Sequence, residues 1–251
     1  VSEALTCDEF LGGRIHLWQP REGYRAGVDP VLLAAAVPAV AGQDVLELGC
    51  GAGAAILCLG ARVEGLNLTG VELQTDYAAL ARRNADENGL VLEVFEADLR
   101  ALPADLRQRH WHHILMNPPY FDRGASTASA DGGRDLALGG NTPLADWIDV
   151  AARRLRPKGT LTMIQRIERL PEALAACEGR IGSIIVRSLS PRENRAPKLF
   201  LLQARKGGRA GFHLAPPLVL HAGPTHVKDR DDYTAEARAI LRNGKPLPIR
   251  H

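Results

Sequence analysis

The stretch that most limits the fold is residues 44–63. A short apolar run, Asp44-Val45-Leu46-Glu47-Leu48, ends in Gly49-Cys50-Gly51-Ala52-Gly53, and an apolar segment of helical length follows over 54–63. A strand that turns through glycines directly into a helix opens a βαβ unit. The pattern then repeats. Residues 67–72 predict a second strand, 75–88 a second helix closed by Gly89, 91–96 a third strand and 112–116 a fourth. Thr142 is a candidate N-cap with Pro143 at the first helical position, opening a helix to Leu155. A strand at 160–165, a helix at 169–178 and strands at 181–189 and 199–205 complete the series. Apolar strands alternating with helices predict an α/β fold, its sheet mostly parallel with helices on both faces. The last two strands have no helix between them, which predicts an antiparallel edge.

Three parts are expected: an N-terminal segment at 1–43 that covers the site, a core at 44–210, and a C-terminal extension at 211–251 packed on or near the core. The segment 123–141, rich in Gly, Ala, Ser and Asp, is long for a loop and marks a functional candidate. The chain shows no basic-then-apolar leader and no apolar run of membrane length, so a cytoplasmic location is expected. Four cysteines without a CxxC pair argue against a zinc ribbon or a disulfide framework.

The net charge of +2 hides a division. Residues 1–150 hold 11 basic and 21 acidic side chains, whereas 151–251 hold 20 and 8. The basic half invites an anionic partner.

Three constellations carry chemistry. The glycine turn lets a ligand approach the backbone closely. Gly49, Gly51 and Ala54 also fit a loose dinucleotide spacing, but Glu47 beside them would repel a pyrophosphate and suits a cationic ligand. Glu72, at the end of the second strand, can accept both hydroxyls of a ribose, and Asp98, after the third, can take the exocyclic amine of an adenine. Asn117-Pro118-Pro119-Tyr120 ends the fourth strand. Its prolines fix an extended backbone without donors. The Asn117 side-chain oxygen and the Pro118 carbonyl can then hold an sp² amino group, and Tyr120 offers a flat face for a ring.

Together these residues resemble the ordered motifs of class I S-adenosylmethionine-dependent methyltransferases, whose sheet is Rossmann-like. The Asn-Pro-Pro-Tyr form resembles the branch that methylates amino groups of adenine, guanine or glutamine. Residues 19–29 leading into Leu32-Leu33-Ala34-Ala35, with Tyr233-Thr234-Ala235-Glu236 near the end, are similar to the bacterial tRNA (adenine-N6) methyltransferase family. That family modifies an adenine beside the anticodon of a valine tRNA. The resemblance implies S-adenosylmethionine as cofactor and RNA, a tRNA first of all, as partner. It implies that Glu47, Gly49 and Gly51 cradle the methionine end, Glu72 holds the ribose, and Asp98 with Leu99 holds the adenine. Leu73 joins that cofactor-binding set. Tyr24, Arg25, Gly27 and Asp29 would close over the cofactor, with Asn117 facing the transferring methyl. Arg192, Arg195, Lys198, Arg205 and Lys206, with Arg209, would carry the RNA backbone if they lie beside that pocket.

Five rivals share parts of this pattern, and one of them, a small-molecule methyltransferase, leaves the Asn-Pro-Pro-Tyr motif and the basic half unexplained. A glutamine-N5 protein methyltransferase has Asn-Pro-Pro-Tyr but usually a helical N-terminal domain, for which the residues before the first strand are too few. A guanine-N2 RNA methyltransferase is close in sequence signal. A dinucleotide-dependent oxidoreductase leaves the Asn117 motif unexplained. A non-catalytic RNA- or nucleoside-binding relative leaves the three strand-end acids unexplained. Other features read as structural. His110, His112 and His113 alternate across a strand rather than converge on a metal, so no metal is expected. Cys50 fills a small space, Trp147 belongs to the core, and Asp229, Asp231 and Asp232 are solvated.

Overall fold

The computed structural model describes residues 4–120, 142–225 and 231–249. The whole 123–141 segment, expected to be a functional loop, and Asp229 thus lie outside the described residues.

A hairpin of β1 (Leu5–Phe10) and β2 (Ile15–Pro20) precedes α1 (Asp29–Ala36). The alternating series then runs β3 (Asp44–Leu48), α2 (Ala54–Arg62), β4 (Asn67–Glu72), α3 (Thr75–Glu87), β5 (Leu92–Glu96), α4 (Ala104–Gln108) and β6 (Trp111–Met116). It continues as α5 (Leu144–Arg154), β7 (Leu155–Arg166), α6 (Leu170–Cys177), β8 (Gly182–Arg192), β9 (Leu199–Arg205), β10 (His213–His221) and α7 (Ala235–Asn243).

Among the described residues the main sheet has eight strands in the order β10-β8-β9-β7-β6-β3-β4-β5. All neighbouring pairs are parallel except those of β9, which runs antiparallel to β7 and β8. One apolar core, with Leu32, Leu33, Ile56 and Leu57, packs α1 and α2 on one face of the sheet; a second, with Trp147, Ile148, Ala151 and Ala173, packs α5 and α6 on the other. The α/β reading with helices on both faces therefore holds.

The expected edge needs correcting. β8 and β9 are antiparallel as predicted, but the edge strand is β10, drawn from the C-terminal extension and parallel to β8. Its Pro216-Pro217 pair disguises it as a loop. Proline cannot donate to a ladder and survives only on an edge or at a bulge. Here it has both, because the β10 register shifts between Ala215 and Leu218. The N-terminal hairpin was likewise not legible. It docks on α3 through Asn84, whose Oδ1 accepts the Trp18 N–H at 2.8 Å while Nδ2 donates to the carbonyls of Trp18 and Ala52.

The strand order places the site. From β3 the chain moves outward to β4 and β5, then crosses back to β6 on the other side of β3. Ligands of open α/β sheets bind at such a reversal, outside the carboxyl ends of the strands. Gly49 follows β3 there, and Asn117 follows β6.

Candidate active site

The glycine turn is built by two buried acids. Gly53 precedes α2 with φ 89° and has no side chain to cap the helix. Glu47 supplies the acceptor instead, its Oε2 taking the Ile56 N–H at 2.9 Å. An acid at a helix N-terminus meets the positive end of the dipole. Burial nevertheless pushes the Glu47 carboxyl well above the usual range, against the Ile56 bond that lowers it. Glu72 pins the other side: its two oxygens accept the Gly51 N–H at 2.8 Å and the Gln74 N–H at 2.9 Å. Gly49 has φ 66°, and a Cβ there would stand 2.6 Å from the Trp147 ring. Only glycine satisfies both conditions. Cys50 occupies the room left by Gly70, where a Cβ would lie 2.7 Å from its sulfur, and burial raises its thiol well above the usual value. Its packing role is as read from the sequence.

The turn opens on a pocket with two lobes. Gly49, Gly51, Tyr24, Tyr77 and Asn117 line both. Glu72, Leu73, Asp98, Leu99, Pro119 and Trp147 line the larger lobe, and Glu47 the smaller. Trp147 is thus a core residue and a wall of the pocket at once.

Asn117 is the unusual member. Its Nδ2 donates to the Tyr24 hydroxyl at 3.2 Å, but its buried Oδ1 has no partner among the described residues. A buried acceptor left unmatched is costly unless a ligand completes it. The Pro118 carbonyl already accepts from Gln165 Nε2 at 3.0 Å, which leaves one lone pair for a ligand. The Pro119 carbonyl accepts from Arg169 Nη1 at 3.0 Å. Tyr120 is half-buried, and its hydroxyl donates to Asp29 Oδ2 at 2.6 Å. Burial raises the Asp29 carboxyl, and burial with the Asp29 charge holds the Tyr120 phenol far up.

The remaining residues named from the sequence divide. Asp98 reaches the pocket, but its carboxylate is paired with the Arg100 guanidinium at 2.8 Å, which lowers its pKa. Gly27 stands on the chain between Tyr24 and α1, with nothing within 4 Å of its open side. Arg25 turns away from the pocket: its guanidinium holds Asp8 at 2.6 Å and Thr6 at 2.8 Å, tying residues 24–29 to the hairpin.

The basic residues do not form one surface, because β9 runs antiparallel. Lys198 precedes β9 at the site end, where its carbonyl accepts the Ile167 N–H at 3.0 Å. Arg205 and Lys206 end the same strand at the far end, opposite Thr160 and bonded to Gly159. A seven-residue strand separates the two groups, roughly 20 Å. Arg205 donates to the Lys158 carbonyl and Lys206 to the carbonyls of Arg153 and Leu155. Arg192 is at the site end but is paired with Asp232 and largely covered. Arg195 and Lys198 are exposed at the site end.

The family model for the methyltransferase small domain matches residues 27–181. The chain belongs to this family.

The matched span of this methyltransferase contains the glycine turn, the strand-end acids and Asn117. A tRNA1(Val) (adenine(37)-N6)-methyltransferase of Dickeya chrysanthemi is 28% identical over 246 residues, 96% of this chain and 95% of the relative. One of the same name from Tolumonas auensis is 28% identical, with 77% and 81% covered. Among solved structures, a predicted O-methyltransferase of Agrobacterium tumefaciens superposes with a TM-score of 0.70 at 27% identity, covering 88% of this chain and 98% of that one. A Thermus thermophilus 16S rRNA N2 G1207 methyltransferase, at TM-score 0.58 and 21% identity over 80% and 50%, shares the fold.

Sequence reasoning missed Gln165, Arg169, Tyr77 and Asn84 as site residues of this methyltransferase. Each acts by reaching across the fold to a carbonyl, and no local motif announces such a partner. Gln165 at the end of β7 and Arg169 just past it could have been sought there, since β7 lies beside β6. Among the described residues no helix is long and apolar enough to cross a membrane.

Proposed function

We propose that the protein is an S-adenosylmethionine-dependent N-methyltransferase that methylates N6 of an adenine in a tRNA anticodon loop, in the cytoplasm. The buried, unpartnered Asn117 Oδ1 at the sheet's reversal point carries this reading, together with similarity over 96% of the chain to a relative of that name. S-adenosylmethionine is the cofactor, and it supplies an electrophilic methyl group on a sulfonium.

The residues fit that cofactor. A pocket lined by Glu47, Glu72 and Asp98, with no Lys or Arg on its walls among the described residues, suits a nucleoside and an ammonium rather than a phosphate. The glycine turn leaves its backbone approachable: a Cβ at Gly51 would meet nothing within 4 Å. Glu72 has lone pairs left after its two backbone bonds and can accept from a ribose.

Adenine N6 is a weak nucleophile because its lone pair is delocalised into the ring. Asn117 Oδ1 and the free lone pair of the Pro118 carbonyl accept its two N–H groups and favour the pyramidal nitrogen. They stabilise positive charge where it develops, and fixed placement supplies much of the remaining rate. No general base is needed before transfer, since the proton leaves the methylated nitrogen afterwards. Tyr120 stacks the base, a contact worth roughly 1–3 kcal/mol. An unpaired loop base is cheaper to present than one in a duplex. Arg195 and Lys198 meet the RNA backbone at the site end.

The test is methylation of total tRNA with labelled cofactor, followed by nucleoside analysis. Label in N6-methyladenosine of a single tRNA is expected. Label in N2-methylguanosine, or in protein glutamine, would contradict the substrate. Cofactor binding with no transfer to any RNA or protein would contradict catalysis itself.

A further inference from the structure

Asn117 is useful in only one of two orientations. Its amide can turn over with little change of shape, exchanging Oδ1 and Nδ2. With Oδ1 toward the pocket it accepts from an amino group. With Nδ2 there, donor would face donor. A neighbouring tyrosine hydroxyl accepts from Nδ2 in the first orientation and donates to Oδ1 in the second, so the sense of that bond decides which atom is left for a ligand.

The bond is formed in the useful sense: Nδ2 donates to the Tyr24 hydroxyl, and the buried Oδ1 is left over. The backbone at Tyr24 is fixed independently of Asn117. Its carbonyl accepts from the Tyr77 hydroxyl at 3.1 Å, and two residues on the Ala26 N–H donates to Gln19 Oε1 at 2.7 Å. Three residues beyond that, Asp29 accepts from Tyr120. The segment 24–29 thus holds the catalytic motif at both ends, at Asn117 and at Tyr120.

We propose that Tyr24 is a positioning residue, whose hydroxyl holds the Asn117 amide with Oδ1 toward the reacting amino group. The inference rests on the methyl-transfer reading above. It also gives Tyr24 a role beyond lining a cofactor pocket. The acceptor is pre-oriented before substrate arrives, and its orientation costs nothing during the reaction.

Tyr24→Phe removes the hydroxyl and keeps the ring. Turnover should fall roughly tenfold to a hundredfold, the range expected for a misoriented catalytic group. Cofactor Kd by calorimetry and KM for tRNA should stay within about threefold, since binding contacts remain. A thermal melt on the same sample reports folding. Unchanged kcat would overturn the proposal, and so would a kcat loss matched by an equal loss of cofactor affinity. A second background guards against a general loosening. In Asn117→Asp either carboxylate oxygen is an acceptor, so orientation no longer matters. There, under single-turnover conditions, adding Tyr24→Phe should cost less than about threefold. An undiminished cost would overturn the proposal. Failure of the underlying reading is distinguishable, because the wild-type protein would then transfer no methyl group to tRNA, or Asn117→Ala would transfer as well as wild type, whatever Tyr24→Phe does.

Discussion

The two ends of the sheet are built from similar residues and do opposite things with them. At the far end, polar groups largely answer one another. Asp44 pairs with Arg156 at 2.7 Å, and His112 Nδ1 accepts the Asp44 N–H at 3.0 Å. Lys206 and Arg205 are spent on backbone carbonyls. At the site end, Asn117 Oδ1 has no described partner, and Glu47 is buried against its own solvation. A folded chain tolerates such cost where a ligand repays it. Residue type alone therefore does not mark function here, and neither does a lone unpartnered atom, since buried His113 Nδ1 at the far end is one as well; an unpartnered acceptor on a pocket-lining residue does.

Substitutions at the two ends can break this contrast. The largest effect is expected at Gly49. Gly49→Ala must clear the Trp147 ring and hold φ 66°, a combined cost of roughly 2–4 kcal/mol. Urea denaturation should register it, with cofactor binding lost. Near-wild-type stability would mean that the turn is slack and that Trp147 does not wall the pocket.

Charge removal should separate the ends next. Lys198→Ala or Arg195→Ala should weaken tRNA binding and reduce the salt slope of log affinity by about one. Arg205→Ala at the far end should change neither. Equal effects at both ends would mean that the RNA path does not follow the site edge.

The smallest expected effect is pH-dependent. His113, beside Gln43 at the far end, is buried, and burial with the nearby His112 and Arg62 charges lowers its pKa to about 4. The unfolded chain takes up a proton near the ordinary value of about 6.5. Stability from this group is full above that value and is lost as pH falls toward about 4. His113→Gln should flatten that part of the profile in urea melts at pH 7, 5.5 and 4. An unchanged acid slope would assign the loss to other groups.

How much was readable in advance follows from where each signal resides. The series β3 to β6 was legible because period and glycine punctuation are local. So were Glu47, Glu72 and Asn117, which sit at strand ends. The edge strand β10 was not, since Pro216 and Pro217 argue against a strand until its edge position is known. Nor was the split of the basic residues, which depends on the direction of β9. Arg25 illustrates the same limit: its neighbours in sequence reach the pocket, while its own guanidinium is claimed by Asp8 on another element.

In the proposed reaction the unpartnered Asn117 oxygen is the acceptor for the reacting amino group. Calorimetry of cofactor binding and tRNA methylation by one preparation of Asn117→Ala tests it directly. Cofactor affinity should stay within about threefold of wild type while transfer falls by at least about a hundredfold, as for removal of one transition-state acceptor. Full transfer by that variant would contradict it.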